Sequence, residues 1–138
     1  MKLIIHTDGG SRGNPGAGAV GVVIAQLADG KEQTVIEFGK KIGIVTNNEA
    51  EYRAVIEALK EVVPMKNRIS SILFVMDSKL VCEQLRGNWK IKQDHLKELF
   101  EQAKSLEINV GVPIAYSHVL RDKNKRADEL LNKALDTA

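Results

Sequence analysis

Two apolar runs, each closing on an aspartate, restrict this chain more than any other feature. Residues 2–7 lead into Asp8, and residues 69–76 lead into Asp77. Short, almost continuously apolar runs read as strands buried on both faces of a sheet. If the two lie side by side and parallel, both carboxylates stand at one sheet edge, about 5 Å apart in backbone terms. The carboxyl ends of strands are where open α/β sheets bind ligands. Two carboxylates that close repel each other unless a proton or a cation lies between them. A ligand set made only of oxygen favours magnesium or manganese over zinc.

The remaining pattern supplies the frame for such an edge. Residues 8–16 read as a turn-rich loop, followed by strands over 18–27 and 32–42 joined at Asp29-Gly30, a strong hairpin signal. Apolar residues at Ala50, Ala54, Val55, Ala58, Leu59 and Val62 have helical spacing, and Pro64 ends it. A short helix follows Asp77-Ser78 and breaks at Gly87-Asn88. A further helix covers 93–105, a strand 112–119, and a last helix 123–136. The order predicts an α/β protein with a mixed five-stranded sheet, three antiparallel strands then parallel ones, flanked by helices. A chain of 138 residues forms one domain, 1–138, with a core large enough to need no staple.

Two more acids fall where the pattern does not need them. Glu51 shares a helix face with Ala54, Val55 and Ala58, and Asp128 lies beside Leu131 and Leu135. A charge on an apolar stripe is costly unless something neutralises it. Each acid also has a structural reading. Asp77 could cap the helix after it. Asn48 with Glu51, or Thr46 with Glu49, has capping-box spacing. Asp128 could favour a helix N-terminus, and Asp8 a turn.

Charge and cysteine content narrow the setting. The formal net charge is only +2, so nucleic-acid binding would need a local patch or neutral donors. The lone Cys82, flanked by Leu80, Val81 and Leu85, reads as core packing. A chain without disulfides fits a reducing cytoplasm, and no apolar run is long enough for a membrane span.

Four segments carry a resemblance. Thr7 to Gly16 (TDGGSRGNPG), Thr46 to Glu51 (TNNEAE), Asp77-Ser78 and Arg121 to Leu130 (RDKNKRADEL) stand in the order found in type 1 ribonuclease H, in its shorter, archaeal-like branch. The likeness covers almost the whole chain, from residue 3 to about 135. It implies the ribonuclease H-like fold and hydrolysis of the RNA strand of RNA–DNA hybrids, leaving 5′-phosphate and 3′-hydroxyl ends. A non-catalytic module that binds hybrid or duplex RNA on the same fold is the alternative. The resemblance implies that Asp8, Glu51, Asp77 and Asp128 hold two Mg2+ ions, with Mn2+ as a substitute. It implies minor-groove contacts from Gly9, Ser11, Asn14, Asn47 and Asn48, and phosphate contacts from Arg12 and Thr46. His118 has the family's spacing for a loop histidine that aids product or metal release, but its surroundings read as a strand end. The basic protrusion of longer members is absent. Trp89, among Arg86, Lys90 and Lys92, either stacks on the DNA strand or anchors a turn. Duplex RNA is a second candidate substrate, and a monomer is expected.

Overall fold

The computed structural model describes residues 1–137. Strands β1 (Lys2–Gly13), β2 (Gly16–Ala28) and β3 (Lys31–Val45) form an antiparallel meander. Helix α1 (Asn47–Val62) leads through a short 3-10 segment to β4 (Ser71–Met76). Helices α2 (Lys79–Leu85) and α3 (Asp94–Val110), strand β5 (Ile114–His118) and helix α4 (Lys125–Asp136) complete the chain. The sheet order is β3-β2-β1-β4-β5, with β4 parallel to both β1 and β5. This is the mixed sheet expected from the sequence.

The first strand is longer than expected. Residues 8–13 are not a loop but continue the ladder, from Asp8 opposite Gly21 to Gly13 opposite Gly16. The glycines there signal packing rather than a turn. A Cβ at Gly9 would lie 2.1 Å from the carbonyl oxygen of Ala50, so α1 rests directly on the β1 backbone. A Cβ on neighbouring Gly10 would point at Leu131 of α4 instead. Successive side chains alternate across a sheet, so α1 and α4 cover opposite faces.

The larger core lies on the α1 face. Leu3, Ile5, Val22, Ile24 and Phe74 of the sheet meet Tyr52, Val55, Ile56 and Leu59 of α1, with Leu96 and Ala103 of α3 behind them. Removing one such side chain down to Ala costs about 2–5 kcal/mol. Helix α3 runs to Val110 rather than 105, because Leu106 and Val110 continue its apolar stripe. It stops at Gly111, whose φ of 73° is left-handed. On the other face α4 sits close to β2 and β3. Cβ atoms at Gly21 and Gly39 would meet the carbonyl oxygens of Ala127 and Leu130 at 1.9 and 2.2 Å. Cys82 is buried in the core, as its neighbours suggested.

Candidate active site

The parallel pairing of β1 and β4 sets His6 opposite Val75. Two residues further on stand Asp8, still in β1, and Asp77, just past the end of β4, with their carboxylates brought together at the sheet edge. Local bonding leaves both carboxylates uncommitted. Ser78, not Asp77, caps α2, its hydroxyl accepting from the Val81 N–H at 3.3 Å. Thr46 and Glu49 form the capping box of α1. Glu51 is thereby free, and its Oε1 accepts from the Gly9 N–H at 3.2 Å. One carboxylate oxygen from each of Asp8, Glu51 and Asp77 lies within 4.8 Å of the others. Asp128, in the first turn of α4, lines the same cleft and faces Asp8, but stands outside that tight group.

The cluster has too little positive charge to balance it. Burial, then the charge of Asp77 and Asp128, pushes the Asp8 carboxyl up to about 7, against a hydrogen bond from Glu51. Burial, then the charge of Asp8, raises Glu51 well above the usual range. Asp77 is also raised, by burial first, with the Arg121 guanidinium opposing. That guanidinium is 83% exposed, and its Nε is 3.9 Å from Asp77 Oδ2, too far for a hydrogen bond. The buried Oδ2 of Asp77 has no hydrogen-bond partner among the described residues. An orphaned carboxylate oxygen beside two more carboxylates fits a hard divalent cation, whose charge would reverse these shifts.

The cleft has a volume of about 420 Å³. Its wall carries Gly9, Gly10, Ser11, Arg12, Asn47, Asn48 and Arg121. The hairpin and the start of α1 are tied together there. Ser11 N–H donates to Asn47 Oδ1 at 3.0 Å, and Asn47 N–H donates to Asn14 Oδ1 at 2.9 Å. Both amide oxygens are thus used within the protein, while neither Nδ2 has a partner among the described residues. The Thr46 hydroxyl accepts the capping bond from Glu49 N–H. Arg12 pairs with Asp136 at 2.5 Å on the surface.

A second groove, of about 530 Å³, adjoins the first at Asn48 and is lined by Gln84, Asn88, Trp89, Lys90 and Lys92. Trp89 is 43% exposed there, with Lys79 Nζ 5.9 Å from its ring centroid. His118 ends β5 opposite Met76, exposed and outside the cleft lining. Arg121, three residues on, does line it. In the sequence Arg121 only opens the last motif, and its sole signal as a site residue is a basic side chain beside an acidic edge. No helix among the described residues is long and apolar enough to cross a membrane.

The comparisons with known proteins agree with this geometry. The family model described as "Reverse transcriptase-like" matches residues 6–134. A bifunctional protein of Mycobacterium tuberculosis is 44% identical over 139 residues, covering 100% of this chain but 36% of its own length. The chain thus spans about a third of that curated relative. The crystal structure of RNase H1 from Halobacterium salinarum superposes with a TM-score of 0.91 at 38% identity, covering 100% of both chains. LC11-RNase H1, solved in complex with an RNA/DNA hybrid, gives 0.88 at 40% identity, covering 97% of this chain and 96% of its own. With the family model matching residues 6–134 and two RNase H1 structures superposing over nearly the whole chain at 38% and 40% identity, this chain belongs to the ribonuclease H family, in its short, archaeal-like type 1 branch.

Proposed function

We propose that the protein is an endonuclease that hydrolyses the RNA strand of RNA–DNA hybrids, leaving 5′-phosphate and 3′-hydroxyl ends. The observation that carries this reading is the uncompensated trio Asp8, Glu51 and Asp77, set in a cleft walled by glycine backbone and neutral amides. Asp8, Glu51, Asp77 and Asp128 would hold two divalent ions, Mg2+ first and Mn2+ as a substitute. When bound, such ions activate the attacking water and offset charge on the leaving 3′ oxygen. A pure binding module gains nothing from acids placed against phosphates, so the non-catalytic alternative is disfavoured. The hybrid found in the LC11-RNase H1 complex supports the choice of substrate.

The chain's own residues do the positioning. Gly9, Gly10 and Ser11 let a ribose approach the backbone closely, where 2′-hydroxyl groups distinguish RNA from DNA. Asn14 and Asn47 have spent their amide oxygens on each other's loops, so toward a substrate they act as donors. Donors suit the acceptor atoms of a minor groove and the oxygen of a 2′ hydroxyl. Asn48 stands between the two grooves and bridges the strands. Arg121 and Arg12 meet phosphates of the cut strand, and Thr46 acts indirectly by fixing the start of α1. Trp89 stacks on the DNA strand while Lys90 and Lys92 face its phosphates. His118, exposed just outside the cleft lining, is the remaining candidate for aiding release. Duplex RNA is a second candidate substrate, and a cytoplasmic monomer is the expected form. The test is cleavage of labelled hybrid, duplex RNA and duplex DNA, each with Mg2+ and with chelator. Hybrid cut only with Mg2+ is expected; hybrid left intact under all conditions refutes the reading.

A further inference from the structure

Asn124 stands immediately before α4 and is 2% exposed. An asparagine there ordinarily caps the helix by accepting from N–H groups of its first turn. Asn124 makes no such bond; its backbone, at φ −127° and ψ 31°, lies outside the usual capping conformation. Its Nδ2 instead donates to the carbonyl oxygen of Thr7 at 2.8 Å, across 117 positions of the chain. That carbonyl belongs to the peptide group leading into Asp8. The backbone oxygen of Asn124 accepts from the N–H of Asp128 at 3.2 Å. One buried residue therefore grips the backbone beside Asp8 and the backbone of Asp128.

The arrangement is not the most stable one available. The cap is forgone, and Asn124 Oδ1 is buried with no partner among the described residues, an unfavourable state for a polar atom. Nor does the rest of the α4 seat replace this contact. Gly21 and Gly39 set the height of α4 above β2 and β3, and the exposed Arg126–Glu37 and Arg12–Asp136 pairs hold its rim, but none of these contacts reaches the backbone beside Asp8. A slide by one residue moves a side chain about 1.5 Å along the axis and turns it away from the cleft. We infer that Asn124 is a positioning residue: its amide locks α4 in register with β1, so that Asp128 and Asp8 face the same cation-binding cleft.

The inference rests on the proposed function for its activity readout, but not for its binding readout. Asn124→Ser keeps a short polar side chain able to cap α4 yet is too short to reach Thr7; Asn124→Ala removes the polar side chain altogether. Leu130→Ala loosens α4 by removing a buried side chain while leaving the amide in place. Mn2+ binding to the free protein is followed by the electron paramagnetic resonance of unbound Mn2+. The Mg2+ concentration for half-maximal hybrid cleavage is measured separately. Both Asn124 variants should bind Mn2+ about tenfold more weakly and shift half-activation likewise, with KM for hybrid nearly unchanged. Leu130→Ala should melt earlier yet bind Mn2+ as the parent does. Parental Mn2+ affinity in Asn124→Ser, or an equal loss in Leu130→Ala, overturns the inference. So does failure of both Asn124 variants to fold, which would make the residue structural. If the parent cuts no hybrid at any Mg2+ level, the functional reading fails, and the Mn2+ titration still decides the role of Asn124.

Discussion

Two groups of partly buried acids in this molecule are treated in opposite ways. At the junction of α3 and β5, Glu107 accepts a hydrogen bond from the Tyr116 hydroxyl at 2.5 Å and pairs with Lys104 Nζ at 3.1 Å. Lys104 also donates to the Leu85 carbonyl and lies 5.5 Å from the Tyr116 ring centroid. The acid, the cation and the hydroxyl close on one another. At the end of β1 and β4, by contrast, Asp8, Glu51 and Asp77 face one another with one remote, exposed arginine. A chain selected for stability alone completes its buried charges from its own side chains. An incomplete set marks a place where completion comes from outside.

The strongest way to break this contrast is through activity. Asp8→Asn or Asp77→Asn should lower hybrid cleavage in Mg2+ at least about a thousandfold, while Glu107→Gln leaves it nearly unchanged. Single-turnover rates with saturating enzyme check both. Equal losses in the two groups would erase the distinction. Stability should respond the other way round. Glu107→Gln should cost about 1–2 kcal/mol, because it takes the partner charge from Lys104. Asp77→Asn should stabilise the metal-free protein by about 1 kcal/mol, because it relieves like-charge crowding. Urea titrations in chelator measure both changes.

The pH dependence sharpens the contrast further. The Asp8 carboxyl sits at about 7 in the folded protein, against an ordinary value of 3.8. The folded state then binds the proton more tightly than the unfolded chain, so stability falls as pH rises between those values. Glu51 acts in the same direction. Melting in chelator should therefore drop steadily from pH 4 to 7, and added Mg2+ should flatten the slope. A metal-free melting temperature that rises over that range would contradict the raised carboxyl. The smallest effect belongs to the amides. Asn14→Ala and Asn47→Ala should each raise KM for hybrid roughly fivefold, about 1 kcal/mol, with the rate at saturation little changed. A hybrid whose RNA lacks 2′ hydroxyls near the cut should narrow the difference between parent and variants.

Much of this site was legible in the sequence because periodicity and punctuation carry it. The runs ending at Asp8 and Asp77 give two parallel strands and their common edge. The misfit of Glu51 and Asp128 on apolar helix faces marks the other two acids. What sequence hid was contact between distant backbones. Gly9 and Gly10 read as turn residues, since nothing local shows that α1 and α4 press on them. The choice between Thr46–Glu49 and Asn48–Glu51 as capping box was equally invisible, because both spacings are sound and only the docking of α1 decides. Asn48 consequently has no cap to lose. Arg121 and Asn124 are hidden for the same reason: their partners, Asp77 just past β4 and Thr7 on β1, lie far away in the chain.

The seating of α4 on Gly21 and Gly39 also has a bearing on timing. A chain leaving the ribosome grows at about 5–20 residues per second, and its early strands can pair before its later ones exist. Asp8, Glu51 and Asp77 can gather while Asp128 is still to be made. The fourth acid arrives only when α4 drops onto the two glycines that wait for it. On the proposed reading, the set of four acids is complete only once α4 meets the meander.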